Sequence, residues 1–158
     1  MTRRCPNSRS DLSARRRWSV RLVVLGMIVA AGCGGGGVVT DVDVDEALEI
    51  GGALFVSEGC VNCHGEKGEG IIGPSLANGN VVVTFPSCVD QIRWVELGSA
   101  RWKRDIGPSY GAQAKPVKGG MPAFGERLSG IQIRSLATFT RVEFGQLTAE
   151  RVFEQCFQ

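Results

Sequence analysis

The chain has 158 residues, 18 Lys and Arg against 16 Asp and Glu, 43% hydrophobic residues, six cysteines and a single histidine. That length suits one domain with a modest core, and a formal net charge of +2 is far from the strongly basic balance on which nucleic-acid binding rests. With only one histidine, any site built on paired imidazoles is excluded within one polypeptide.

The first 32 residues differ in character from the rest. Arg15, Arg16, Arg17 and Arg21 precede an uncharged run from Leu22 to Ala31, and Ala30-Ala31-Gly32 lead into Cys33. A basic stretch, a short apolar run and small residues make an export signal over residues 1–32. About ten apolar residues are too few to cross a bilayer core, which needs about 20. The residues before Cys33 resemble a bacterial lipobox, with Ala30 where leucine is usual; this implies cleavage before Cys33 and a lipid anchor on it. Ordinary cleavage nearby is the alternative.

Removing residues 1–32 leaves 126 residues (158 minus 32) and reverses the charge. Seven of the 18 basic residues but only Asp11 among the 16 acids lie before Cys33, so 11 remain against 15, or about −4. An acidic mature chain is not expected to bind nucleic acid. Residues 33–44, with Gly34 to Gly37 and then alternating Val and Asp, read as a flexible tether. A coil of about twelve such residues reaches roughly 20 Å.

From Asp45 the pattern turns helical. Ala47, Ile50, Leu54 and Phe55 share a side, Asp45, Glu46 and Glu49 suit the positive N-terminal end, and the helix is expected to end near Gly59. Cys60-Val61-Asn62-Cys63-His64 follows. Two thiols at this spacing can add to the two vinyl groups of one porphyrin, and the adjacent imidazole then lies beneath the iron. The spacing therefore reads as the attachment site of a c-type haem. The competing reading is zinc, with Cys60, Cys63 and His64 completed by Cys88 or Cys156, although a histidine directly beside the second cysteine suits a tetrahedral site poorly.

Gly65 to Leu76 is a glycine-rich loop without helical period. Val81 to Phe85 is β-prone but has no partner strand, so an extended loop is expected there. Pro86-Ser87-Cys88 opens a helix to about Gly98, with Ile92 and Val95 inward and Trp94 either covering the cofactor or in the core. Ala100 to Gly120 reads as a long loop whose Trp102, Tyr110 and nearby cations either pair with haem propionates or form a solvated surface. Ser129 and Gln132 form a capping-box pattern before a helix through about Glu143, with Ile133, Leu136, Ala137 and Phe139 on its apolar face. In the tail, residues 145–158, Thr148 can cap a short helix. Cys88 and Cys156 are the thiols left over, and in an oxidising compartment they suggest a disulfide; two separate buried thiols are the alternative.

Gly51-Gly52-Ala53-Leu54-Phe55, Gly59-Cys60-Val61-Asn62-Cys63-His64-Gly65 and Met121-Pro122 together resemble class I c-type cytochromes of the bacterial monohaem kind, over residues 45–144. The resemblance implies an all-α cytochrome c fold of three main helices wrapped around one haem c, held covalently through Cys60 and Cys63. It implies that Gly51 lets the first helix cross the last, that Phe55 packs at the crossing, and that the Pro74 carbonyl accepts the second ring N–H of His64. It also implies that Met121, 57 residues after His64 and the only methionine after the signal, is the sixth iron ligand. Lys115, Lys118 and Tyr110 are the fallback ligands. Phe139 stands where relatives often carry tyrosine or tryptophan. With both axial positions filled, the expected function is one-electron transfer rather than catalysis. Redox proteins such as an oxidase, reductase or dehydrogenase are the implied partners, in the periplasm or at the outer face of the membrane. A haem enzyme or gas sensor with a labile Met121 is the alternative within haem chemistry.

Overall fold

The structure, a computed structural model, describes residues 42–158; the export signal, Cys33 and most of the tether lie outside the described residues. Helix α1 spans Val44–Ser57. Asp43 starts it by accepting the Glu46 N–H at 2.9 Å, and Asp45 and Glu46 lie in the first turn, where the helix dipole favours negative charge. Ala47, Gly51 and Phe55, spaced by four, form its buried stripe.

Helix α2 is the single turn Cys60–His64, and α3 is the short helix Asn80–Thr84. The extended loop expected at Val81–Phe85 is thus corrected to a helical turn. β-branched residues favour strands only where a pleated neighbour packs them, and none does here. Helical spacing instead buries Val81 and Thr84 together and leaves Val83 at the surface.

Helix α4 spans Cys88–Asp105 and is broken at Gly98, whose φ of 62° and ψ of 175° lie outside the helical region. The sequence expectation ended this helix at Gly98 and made Ala100 to Gly120 a loop. The chain in fact resumes the helix beyond the glycine, so that Trp102 is buried on the same element as Ile92 and Val95. A two-residue hairpin follows, β1 at Ser109–Tyr110 and β2 at Lys115–Pro116, with Tyr110 opposite Lys115.

Helix α5 spans Gly130–Glu143 and opens with the capping box: Ser129 Oγ accepts the Gln132 N–H at 3.3 Å, and the Gln132 side chain accepts the Ser129 N–H at 2.8 Å. Its most extensive packing is against α1. A β-carbon at Gly51 would run into the Ser135 carbonyl oxygen and sit 2.6 Å from Cβ of Phe139, so the two helices meet at a point only glycine can occupy. Phe55 fills the space beside the crossing, its ring 5.7 Å from that of Phe139 and 5.2 Å from that of Phe144.

Helix α6, Ala149–Phe157, folds back on α5, and Thr148 precedes it without a side-chain capping bond. Cys88 and Cys156 form a disulfide, with Cα atoms 5.3 Å apart across 68 residues of chain. The architecture is the all-α one expected, with α1, α4 and α5 as the main helices.

Candidate functional site

The site begins at Gly59, whose φ of 75° turns the chain out of α1 and directly into α2. The one turn of α2 presents Cys60, Cys63 and His64, all half-buried, and both cysteines are free thiols. Burial pushes the Cys60 thiol up to about 11, which keeps it protonated.

The loop after α2 is wound back on it. The amides of Ile71, Ile72 and Gly73 all donate to the Cys63 carbonyl oxygen at 2.9, 3.1 and 2.9 Å, and the Gly70 N–H donates to His64 O at 2.7 Å. These bonds satisfy carbonyls that a one-turn helix leaves open. They also deliver Pro74, whose carbonyl oxygen lies 2.8 Å from Nδ1 of His64. A carbonyl can only accept, so Nδ1 carries the proton and Nε2 keeps a free lone pair. Burial lowers the pKa of His64 and the Pro74 bond opposes that effect; the neutral, ligating form is the one favoured. Gly73 has a part that sequence reasoning overlooked: a β-carbon there would lie 3.0 Å from Cε1 of His64, so the ring can rest against the loop only where there is no side chain. A glycine directly before the proline was the signal.

On the other side, the break in α4 receives the Met121 segment. Ser99 donates its N–H to the Met121 carbonyl oxygen at 2.9 Å and its hydroxyl to the same oxygen at 3.2 Å. Phe124 and Gly125 donate to Val95 O and Glu96 O, each at 3.1 Å. A β-carbon on Gly98 would come within 2.5 Å of the Pro122 carbonyl carbon. Sequence reasoning missed this clamp entirely, because Gly98 and Ser99 carry no chemistry of their own.

His64 and Met121 line one cleft of about 540 Å³, within the range of about 300–1,000 Å³ usual for cofactor-sized ligands. Cys60 and Cys63 lie at it, as do Pro74, Trp94, Tyr110 and Lys115. Deeper in, Phe55, Leu76, Val81, Val95 and Leu136 supply an apolar lining. Trp94 and Tyr110 stack with ring centroids 4.2 Å apart. Trp102 does not face the cleft; its indole N–H is spent on Ser109 O at 2.9 Å.

The zinc reading fails on these positions. Its third sulfur ligand was to be Cys88 or Cys156, and each is consumed by the other. Among the described residues no group of three His, Cys, Asp or Glu could hold a metal ion. Two free thiols on one turn, a neutral imidazole with a free nitrogen and an apolar cleft instead fit a covalently held porphyrin. The family model described as cytochrome c oxidase, cbb3-type, subunit III, matches residues 46–139, a span that contains all of these side chains. The chain belongs to that family and is a class I c-type cytochrome. No curated protein matches it. As a cytochrome c it is a haem-based electron carrier with covalently bound haem c. The matched span stops within α5; α6 and the disulfide of this cytochrome lie partly or wholly beyond it.

Proposed function

We propose that this cytochrome is a one-electron carrier in which Cys60 and Cys63 hold a single haem c and His64 and Met121 occupy both axial positions of its iron. When bound, that group supplies a one-electron Fe(III)/Fe(II) couple. The observation that carries the reading is the shared cleft of His64 and Met121, the first held by Pro74 and the second by Ser99. Both ligands are fixed from behind. The Pro74 bond holds the tautomer of His64 and strengthens it as a donor. The two hydrogen bonds from Ser99 hold the Met121 backbone in place, which would limit the reorganisation that each transfer requires. A thioether ligand and an apolar lining both favour the reduced state and raise the potential. With both axial positions taken by protein, no place is left for oxygen or a substrate, and the chain moves electrons without making bonds.

The export-signal pattern before Cys33 and the coexistence of a disulfide with covalent haem chemistry support a location outside the cytoplasm, with Cys33 as a lipid anchor. No described helix is long and apolar enough to cross a membrane. The partners proposed are redox proteins of a respiratory chain, and the name of the matching family favours an oxidase complex.

The deciding experiment is the absorption spectrum of the purified oxidised protein. A weak far-red band from sulfur bound to ferric iron is expected in the native chain and absent in Met121→Ala. Its absence from the native protein, or ready binding of carbon monoxide to the native reduced form, overturns the sixth-ligand assignment.

A further inference from the structure

Arg141 is the largest fully buried side chain among the described residues, 1% exposed, and it makes no ion pair there. Its Nη1 donates to Phe85 O at 2.7 Å and to Gln91 Oε1 at 3.2 Å, and its Nη2 donates to Pro86 O at 3.0 Å. Its Nε has no partner. A guanidinium stays charged, and an uncompensated buried charge is among the costliest features a core can carry. The residues around it say what it faces. Phe85, Gln91 and Thr140 all line the cofactor cleft, and Gln91 passes the hydrogen bond on, its Nε2 donating to Thr140 Oγ1 at 2.8 Å. One residue layer therefore separates the charge from the cleft.

A second cation lies at the same wall. Lys115 lines the cleft beside Tyr110, and its Nζ donates to Oγ1 of the buried Thr84 at 2.7 Å. It too makes no ion pair; among the described residues the ion pairs are Arg101–Glu126, Arg104–Asp105 and Arg127–Glu58. Lys115 and the exposed Lys118 thus line, and Arg141 stands one layer behind, a cleft whose cofactor brings two carboxylates of its own, and none of the three has an acid partner among the described residues.

We propose, resting on the haem reading above, that Lys115 and Arg141 are the counter-charges of the haem propionates, Lys115 by direct contact and Arg141 as a positioning residue through Gln91, and that both hold the reduction potential up. Uptake of an electron adds one negative charge to the cleft, and fixed positive charge in a poorly solvated wall favours that state. In this reading Thr84, Gln91 and Lys115 are the lining residues that would receive the carboxylate edge of the cofactor.

The test is potentiometric titration of the full-length holoprotein as native chain, Lys115→Met, Arg141→Met and Arg141→Lys, with the absorption spectrum of each. Lys115→Met and Arg141→Met are each expected to lower the reduction equilibrium constant about tenfold, 59 mV for a one-electron couple, with the axial ligation unchanged. Arg141→Lys is expected to keep most of the native value. Unchanged potentials together with a lowered melting temperature overturn the proposal and leave Arg141 as a brace for the Phe85–Pro86 corner. Should Arg141→Met fail to fold, Lys115→Met decides, since Lys115 is only half-buried; an unaltered potential in that variant refutes the counter-charge role. A failure of the haem reading itself looks different, because the native chain would then have no Soret band and no couple to titrate.

Discussion

Ser99 grips Met121 twice, by its backbone N–H at 2.9 Å and by its hydroxyl at 3.2 Å, both on the one carbonyl oxygen. The grip exists because Gly98 leaves the helical region and points the next residue's donors sideways, towards a segment 22 residues further on. An interruption in one helix thereby becomes the mounting of a ligand that the helix does not contain.

Gly98→Ala should break that mounting. Alanine would have to hold the φ of 62° and ψ of 175° that glycine adopts here, at a cost of about 1–3 kcal/mol, and its β-carbon would also collide with the Pro122 carbonyl carbon. The far-red band is expected to fade and the reduced form to bind carbon monoxide. Ser99→Ala, which keeps the backbone bond, is expected to lose only about 1 kcal/mol and to retain the band.

Gly73→Val should act on the opposite ligand. Its side chain would push the His64 ring away from the Pro74 carbonyl and weaken a bond worth about 0.5–1.5 kcal/mol. A weaker imidazole donor destabilises ferric iron more than ferrous, so the midpoint potential should rise, by no more than about 60 mV for one electron. A fall in potential would contradict this account of Pro74.

Gly51→Val tests the helix crossing. The lost contact between α1 and α5 is expected to cost about 1–3 kcal/mol, more than any gain in helix propensity of roughly 1 kcal/mol from replacing glycine. Chemical denaturation of the holoprotein measures it, and a stability equal to that of the native chain would show that the helices can separate at no cost.

Removal of the disulfide by Cys88→Ser with Cys156→Ser should lower stability by about 2–5 kcal/mol. Thermal melting with and without reductant should give the same shift in the native protein. The visible spectrum is expected to stay native, since neither cysteine lines the cleft that holds His64 and Met121.

What could be read in advance followed chemistry that is local in the chain. Cys60, Cys63 and His64 stand within five residues, and Ser129 with Gln132 spells out a helix start by itself. Val81 to Phe85 was misread because the preference of valine for strands depends on neighbours that the sequence does not display. The kink at Gly98 was hidden for a similar reason: only the approach of Pro122 makes a glycine necessary there. Arg141 stands in the last turn of its helix, where a basic residue is commonplace and by itself signals nothing. Its spacing of four from Ala137 and eight from Ile133, both buried, was the overlooked sign that it points inward.

The disulfide also has a consequence for how the molecule is made. The four cysteines of the described residues must meet two different fates: Cys60 and Cys63 have to survive as thiols until a porphyrin reaches them, whereas Cys88 and Cys156 have to oxidise. Cys88 stands only 25 positions past Cys63 but 68 before its proper mate, so proximity along the chain favours the wrong pairing. Biogenesis therefore requires a reductant to guard the first pair while α6 docks, and a cell that lacks one should accumulate scrambled, colourless chains.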